Sequence, residues 1–149
     1  MQIVPYEKID GYYLSNHPEF IYVHDENLKG DHLLSGDSKG KDDWKYNSRT
    51  EANRYGFITY VSRKYKKLYE FSYMDYKELV YPVEEILLID FIKNHNDKFF
   101  LIDPLGYGEL NRYLVFDDVI KPNLYEALKP FDNGMLLWDK LDTRYLTNI

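Results

Sequence analysis

Two runs of period-two alternation constrain this chain more than any other feature. In YGFITYVS, residues 55–62, Tyr55, Phe57, Thr59 and Val61 share one face of an extended chain while Ile58 and Tyr60 take the other. In LYEFSYM, residues 68–74, Tyr69, Phe71 and Tyr73 alternate with Glu70 and Ser72. Successive side chains of a strand point to opposite faces, so this spacing predicts two half-buried strands. The basic RKYKK between them, residues 63–67, closes the pair into a hairpin. Composition points the same way. Sixteen tyrosines stand beside only two alanines, Ala52 and Ala127; tyrosine fits a pleated surface and alanine is the strongest helix former.

FIYVH, residues 20–24, is short, aromatic and β-branched. EILLIDFI, residues 85–92, reads as a strand because KNHNDK, residues 93–98, is turn chemistry and KFFLID, residues 98–103, supplies a return strand. DPLGYGE, residues 103–109, is a Pro/Gly loop, and RYLVF, residues 112–116, is a further strand. A helix is predicted over 119–130, from the Leu124 and Leu128 spacing with Asn123 as a cap. A turn at Asn133-Gly134 leads to a strand at 135–139, with another near 144–146. Residues 26–52 form a long polar loop rich in Gly, Asp and Ser, with room for a short helix at 42–46. The expected architecture is a single domain over 1–149. Its class is α+β, strand-dominated: a mainly antiparallel sheet, curled or two-layered, with one or two short helices.

Without cysteine the chain has no disulfide framework, thiolate metal site or cysteine nucleophile. Its opening residues, MQIVPYEKIDGYY, lack the basic and apolar regions of a signal peptide. The most apolar run, residues 86–92, already contains Asp90 and is far shorter than the roughly 20 residues of a bilayer helix. A cytoplasmic protein with no membrane partner and no cofactor is expected. Phe, Tyr, Met, Ile, Asn and Lys total 61 residues against 21 for Gly, Ala, Arg and Pro; that bias toward AT-rich codons fits a low-GC bacterium or its phage.

The net charge of −6 is unevenly spread. Residues 1–40 and 78–149 are acidic, and residues 41–77 are basic, with nine Lys or Arg against five acids. An acidic whole disfavours general nucleic-acid binding, because phosphate neutralisation supplies most non-specific affinity. The class expected first is therefore a small non-catalytic protein that binds another protein with a basic surface, in the manner of an inhibitor, an immunity protein or a phage anti-defence factor. The acidic C-terminal half would face that partner, with Tyr107, Tyr113 and Tyr125 as anchors and Asp117 and Asp118 steering association.

Two other classes compete. Arg63, Lys64, Tyr65, Lys66 and Lys67 at the hairpin tip, with Tyr55 and Tyr60 stacking on bases, would make a single-stranded nucleic-acid site. NRYGFITY, residues 53–60, fits six positions of the aromatic strand signature of RNA-recognition motifs. Residues 29–52 lack the amphipathic helix and strand such a domain requires, so the chain is not assigned to that family. A metal-dependent hydrolase would draw on His24, Glu26 and His32, whose imidazole and carboxylate groups suit zinc, iron or manganese. Nothing in their spacing fixes them on one face. No phosphate-binding glycine motif and no nucleophile-elbow serine occurs.

Overall fold

The structure, a computed structural model, describes residues 1–28, 53–64, 67–107 and 115–141, with backbone alone at 63–64 and 67–68. Five strands make one sheet: β1 (Gln2–Pro5), β2 (Phe20–Asn27), β3 (Arg54–Tyr60), β6 (Phe99–Ile102) and β7 (Gly134–Asp139). Two short strands, β4 (Ser62–Lys64) and β5 (Lys67–Tyr69), form a separate antiparallel ribbon. Helices are α1 (Gly11–Ser15), α2 (Tyr73–Asp75), α3 (Tyr81–Asn94) and α4 (Lys121–Leu128). The sheet order is β1-β7-β6-β2-β3, and every pairing in it is parallel. The fold is α/β, and the expectation of a mainly antiparallel α+β sheet is overturned.

The alternation at 55–62 does mark a strand, but β3 runs parallel to β2, in register Val23–Tyr55 and Asp25–Phe57. The hairpin shrinks to the ribbon of β4 and β5, and the second run, 68–74, passes from β5 into the start of α2. All seven residues of β3 are buried, so the strand is covered on both faces. Parallel sheets require that cover because their crossovers lay other elements over the faces. The predicted strand at 85–92 is the body of α3, and the strand predicted to end at Phe116 gives way to a helical turn there. The expected strand near 144–146 and helix at 42–46 lie outside the described residues.

One face of the sheet carries the larger core. Ile21, Val23, Tyr55, Phe57, Phe100, Ile102, Leu136 and Trp138 pack there against Leu88 and Ile92 of α3 and Leu124 and Leu128 of α4. The opposite face holds a smaller cluster of Tyr22, Leu101 and Leu137 with Ile9 and Leu14, the last from α1. Asp10 caps α1, its carboxylate accepting from the Tyr13 N–H at 2.8 Å.

α3 and α4 share a device that the sequence conceals. Each carries a proline at its second residue, Pro82 and Pro122, which would ordinarily end a helix arriving from upstream. Here a π-helical turn precedes each, Tyr76–Val80 and Phe116–Ile120. The Tyr81 N–H reaches back five residues to the Tyr76 carbonyl, and the Lys121 N–H to the Phe116 carbonyl. The widened ladder makes room for a ring that would clash with the carbonyl four residues back and offers no N–H. The helical course therefore runs from Tyr73 to Asn94 without a break.

Among the described residues β3 is an edge strand, and at Ile58 its outward backbone groups are covered by side chains from that helical run. Glu84, buried in α3, accepts from the Ile58 N–H at 2.8 Å, and the Tyr76 hydroxyl donates to the Ile58 carbonyl at 2.7 Å. Together they occupy the donor and acceptor that another strand would use, a covering that suppresses edge-to-edge pairing. Glu84→Ala leaves a buried N–H without this acceptor and is expected to lower stability by about 1–3 kcal/mol, whereas Glu84→Gln, retaining an acceptor oxygen, loses less. Urea unfolding of the two variants checks the order; equal losses would mean that the bond does not hold the edge.

Candidate functional site

In a parallel sheet, ligands commonly bind outside the carboxyl ends of the strands, where the strand order reverses. Here β2 leads outward to β3 while β6 leads the other way to β7, so the reversal falls between β2 and β6. The loop that follows β6 reaches across that crevice. Asp25 Oδ1 accepts from the Gly106 N–H at 2.6 Å and from the Thr59 hydroxyl at 2.9 Å. The Trp138 indole N–H donates to the Asp103 carbonyl at 3.0 Å. Leu105 and Tyr107, just beyond β6, are buried in the larger core. Among the described residues, the loop at 103–107 is thus tied to the carboxyl ends of β2, β3 and β7.

His24 and Glu26 lie on β2, both buried, rather than in a polar loop. His24 Nδ1 donates to the Asp25 carbonyl at 2.8 Å, and Glu26 Oε1 accepts from the Asn27 N–H at 2.8 Å. His32 lies outside the described residues. Among the described residues, no group of three His, Asp or Glu side chains is placed to hold a metal ion. Gly56 faces Glu26 across the strand pair, and a Cβ there would stand 2.7 Å from Glu26 Cβ, so the close packing of β2 on β3 requires glycine. Tyr22 is buried beneath, its phenol pushed well up by burial, with the Asp103 carboxylate adding to the effect.

The nucleic-acid residues are distributed differently from the sequence expectation. Tyr55 and Tyr60 are both buried, and neither ring offers a face for base stacking. Arg63, Lys64 and Lys67 fall on β4 and β5, described by backbone alone, while Tyr65 and Lys66 lie outside the described residues.

The proposed protein anchors divide likewise. Tyr107 is buried, edge-on to Phe116 with ring centroids 5.6 Å apart, and is no surface anchor. Tyr113 lies outside the described residues. Tyr125 packs half-buried on the core with the Lys129 ammonium 4.8 Å from its ring centroid. Asp117 and Asp118 are exposed in the π-helical turn before α4. Partial burial holds the Asp117 carboxyl above its ordinary value; Lys121 opposes that shift and Asp118 adds to it.

Among the described residues, four exposed aliphatic side chains stand together where the sequence offered no surface site. Leu79, Val83, Ile86 and Leu87 are exposed by 67%, 52%, 65% and 43% on the outer side of the π turn and α3. Their spacing places them on one stripe, opposite the inward row of Tyr81, Glu84, Leu88 and Ile92. Met74, 52% exposed, precedes them in α2. Asp75, Glu78 and Asp90 are exposed on the same helical run, as are Lys77 and Lys93, with Glu85 half-buried. The signal was present in the sequence as an apolar run without alternation; reading it as strand hid the fact that two faces were apolar. Comparison with protein-family models, with curated proteins and with solved structures finds no match to this chain.

Proposed function

We propose that this chain is a small acidic, non-catalytic protein that acts by binding another protein through the outer face of α3. One observation carries the reading: α3 is apolar on both sides, yet only one side is packed against the sheet. A helix apolar all round is characteristic of burial on all sides, and a contiguous exposed apolar patch marks an interaction surface. The stripe lies in the acidic C-terminal half, where the charge distribution favours a basic partner. Its anchors are aliphatic rather than tyrosine. An inhibitor, immunity or anti-defence role fits a protein of this size that works by occupying a partner. No helix among the described residues is long and apolar enough to cross a membrane.

The test compares affinity capture, from the cells that make the protein, by the wild type and by a Leu79→Ser/Ile86→Ser double variant. Both positions are exposed, so the variant is expected to match the wild type in far-UV circular dichroism and to lie within about 0.5 kcal/mol of it in stability per site. A partner retained by the wild type is expected to bind the variant at least about tenfold more weakly. Identical retention by a folded double variant would remove this face as the interface.

A further inference from the structure

The same face also indicates the chemistry of what it would bind. Resting on the reading of the outer face of α3 as a protein-binding surface, we infer that its occupant is a cationic amphipathic helix, an apolar row flanked by lysine or arginine. Shape supports a helix. The stripe follows the i, i+4, i+7, i+8 positions Leu79, Val83, Ile86 and Leu87. At 1.5 Å per residue it spans roughly 12 Å, about two turns. This is a convex ridge, and ridges of this kind pack into the grooves of a second helix. A second row at i, i+3, i+4 and i+7 spacing would cover it.

Charge selects among helices. The run Asp75 to Lys93 presents three exposed carboxylates, on Asp75, Glu78 and Asp90, against the exposed ammonium groups of Lys77 and Lys93. Glu84 is excluded, because it is buried and committed to the Ile58 N–H, and so is Glu85, half-buried and accepting from the Tyr81 hydroxyl at 2.7 Å. The surplus negative charge beside the stripe has the sign of the whole chain, which carries −6. A two-fold contact between copies brings one patch against itself and so sets these carboxylates toward their own counterparts, with both proteins carrying the same net charge. An anionic lipid surface meets the same repulsion. A lysine- or arginine-flanked helix converts that rim into steering, raising the association rate in a salt-dependent way while the aliphatic row supplies the buried contact.

Direct titration of the full chain tests the inference, with three fluorescently labelled peptides as probes. One places leucine in a helical row with lysine elsewhere; a second replaces every lysine with glutamate; a third scrambles the first. The leucine/lysine helix is expected to bind at least about tenfold tighter than either control, and to weaken as salt is raised. Leu79→Ser/Ile86→Ser is expected to lose at least about tenfold in affinity. Glu78→Gln/Asp90→Asn is expected to flatten the salt dependence, and Tyr12→Ser, at an exposed ring outside this helix, to change nothing. Equal binding of the scrambled or glutamate peptide overturns the inference, as does affinity unmoved by Leu79→Ser/Ile86→Ser.

A concentration-dependent dimer in sedimentation that the serine variant abolishes assigns the face to a second copy and overturns the cationic partner alone. Binding to phosphatidylserine vesicles that the serine variant abolishes overturns both readings. If the peptides fail while the serine variant still loses its captured protein, the partner chemistry is wrong and the protein-binding face stands. If neither responds, both readings fail. Should serine disturb folding, Ile86→Ala alone provides the same comparison.

Discussion

Phe116→Ala is expected to cost about 3–5 kcal/mol of folding stability, the range for removing a buried aromatic side chain and leaving a partly collapsed cavity. Phe116 has no exposed surface and sits where three structural features converge. It begins the π-helical turn leading into α4, its ring meets Trp138 of β7 edge-on at 5.3 Å, and it meets Tyr107 edge-on at 5.6 Å. Each perpendicular pair adds about 0.5–1.5 kcal/mol beyond the area it buries. Domains are stable by only about 5–15 kcal/mol, so this single truncation is expected to remove a large fraction of the total. It is expected to lower Tm by roughly 6–20 °C, at about 2–4 °C per kcal/mol for a chain of this size. Phe116→Leu, which fills most of the volume but loses both ring contacts, is expected to fall between. Calorimetry orders the three proteins. A loss below about 1 kcal/mol for Phe116→Ala would mean that the ring is not the packed junction described.

Asp25→Ala is expected to produce the next largest loss, roughly 3 kcal/mol or more, because one carboxylate oxygen holds two elements together. It accepts from the Thr59 hydroxyl on β3 and from the Gly106 N–H beyond β6, across the point where the strand order reverses. Hydrogen bonds to a charged group contribute about 1.5–3 kcal/mol each, and alanine removes both together. Asp25→Asn keeps an acceptor oxygen and is expected to lose about half as much. Two measurements separate this role from a general packing defect. The urea midpoint reports the total, and amide exchange at Gly106 reports the local tether. A Gly106 amide exchanging no faster in Asp25→Ala would show that the loop at 103–107 is held by its apolar contacts instead.

Several parts of this architecture were legible in the residues themselves. The strands at 20–27, 99–102 and 134–139 and the helix around 121–128 lie where short β-branched or aromatic runs and the Leu124–Leu128 spacing place them. Local rules suffice there because each segment is bounded by turn chemistry and its residue types favour one conformation. α3 was not legible. Its inward row, Tyr81, Glu84, Leu88 and Ile92, has helical spacing, but Val83, Ile86 and Leu87 fill the opposite side and erase the contrast that reveals a helix. The turn residues at 93–98 and the return strand at 98–103 favour a strand at the level of sequence. The π-helical turns that admit Pro82 and Pro122 have no sequence signature.

The candidate interface was concealed for the same reason, since an apolar residue in a one-dimensional pattern is assigned to the core by default. Tyrosine shows the converse. Tyr55, Tyr60 and Tyr107 were read as available for contact with a partner and are enclosed.

By itself, the sequence determined that the chain builds a tyrosine-rich, acidic fold from short strands, because side-chain chemistry and period are local properties. Tertiary structure alone decided that those strands run parallel in the order β1-β7-β6-β2-β3. It also decided which of two apolar faces of α3 is buried and which aromatic rings reach water. Strand direction depends on which distant segments cross over the sheet, and exposure depends on what packs on each face. A pattern read along one segment contains neither.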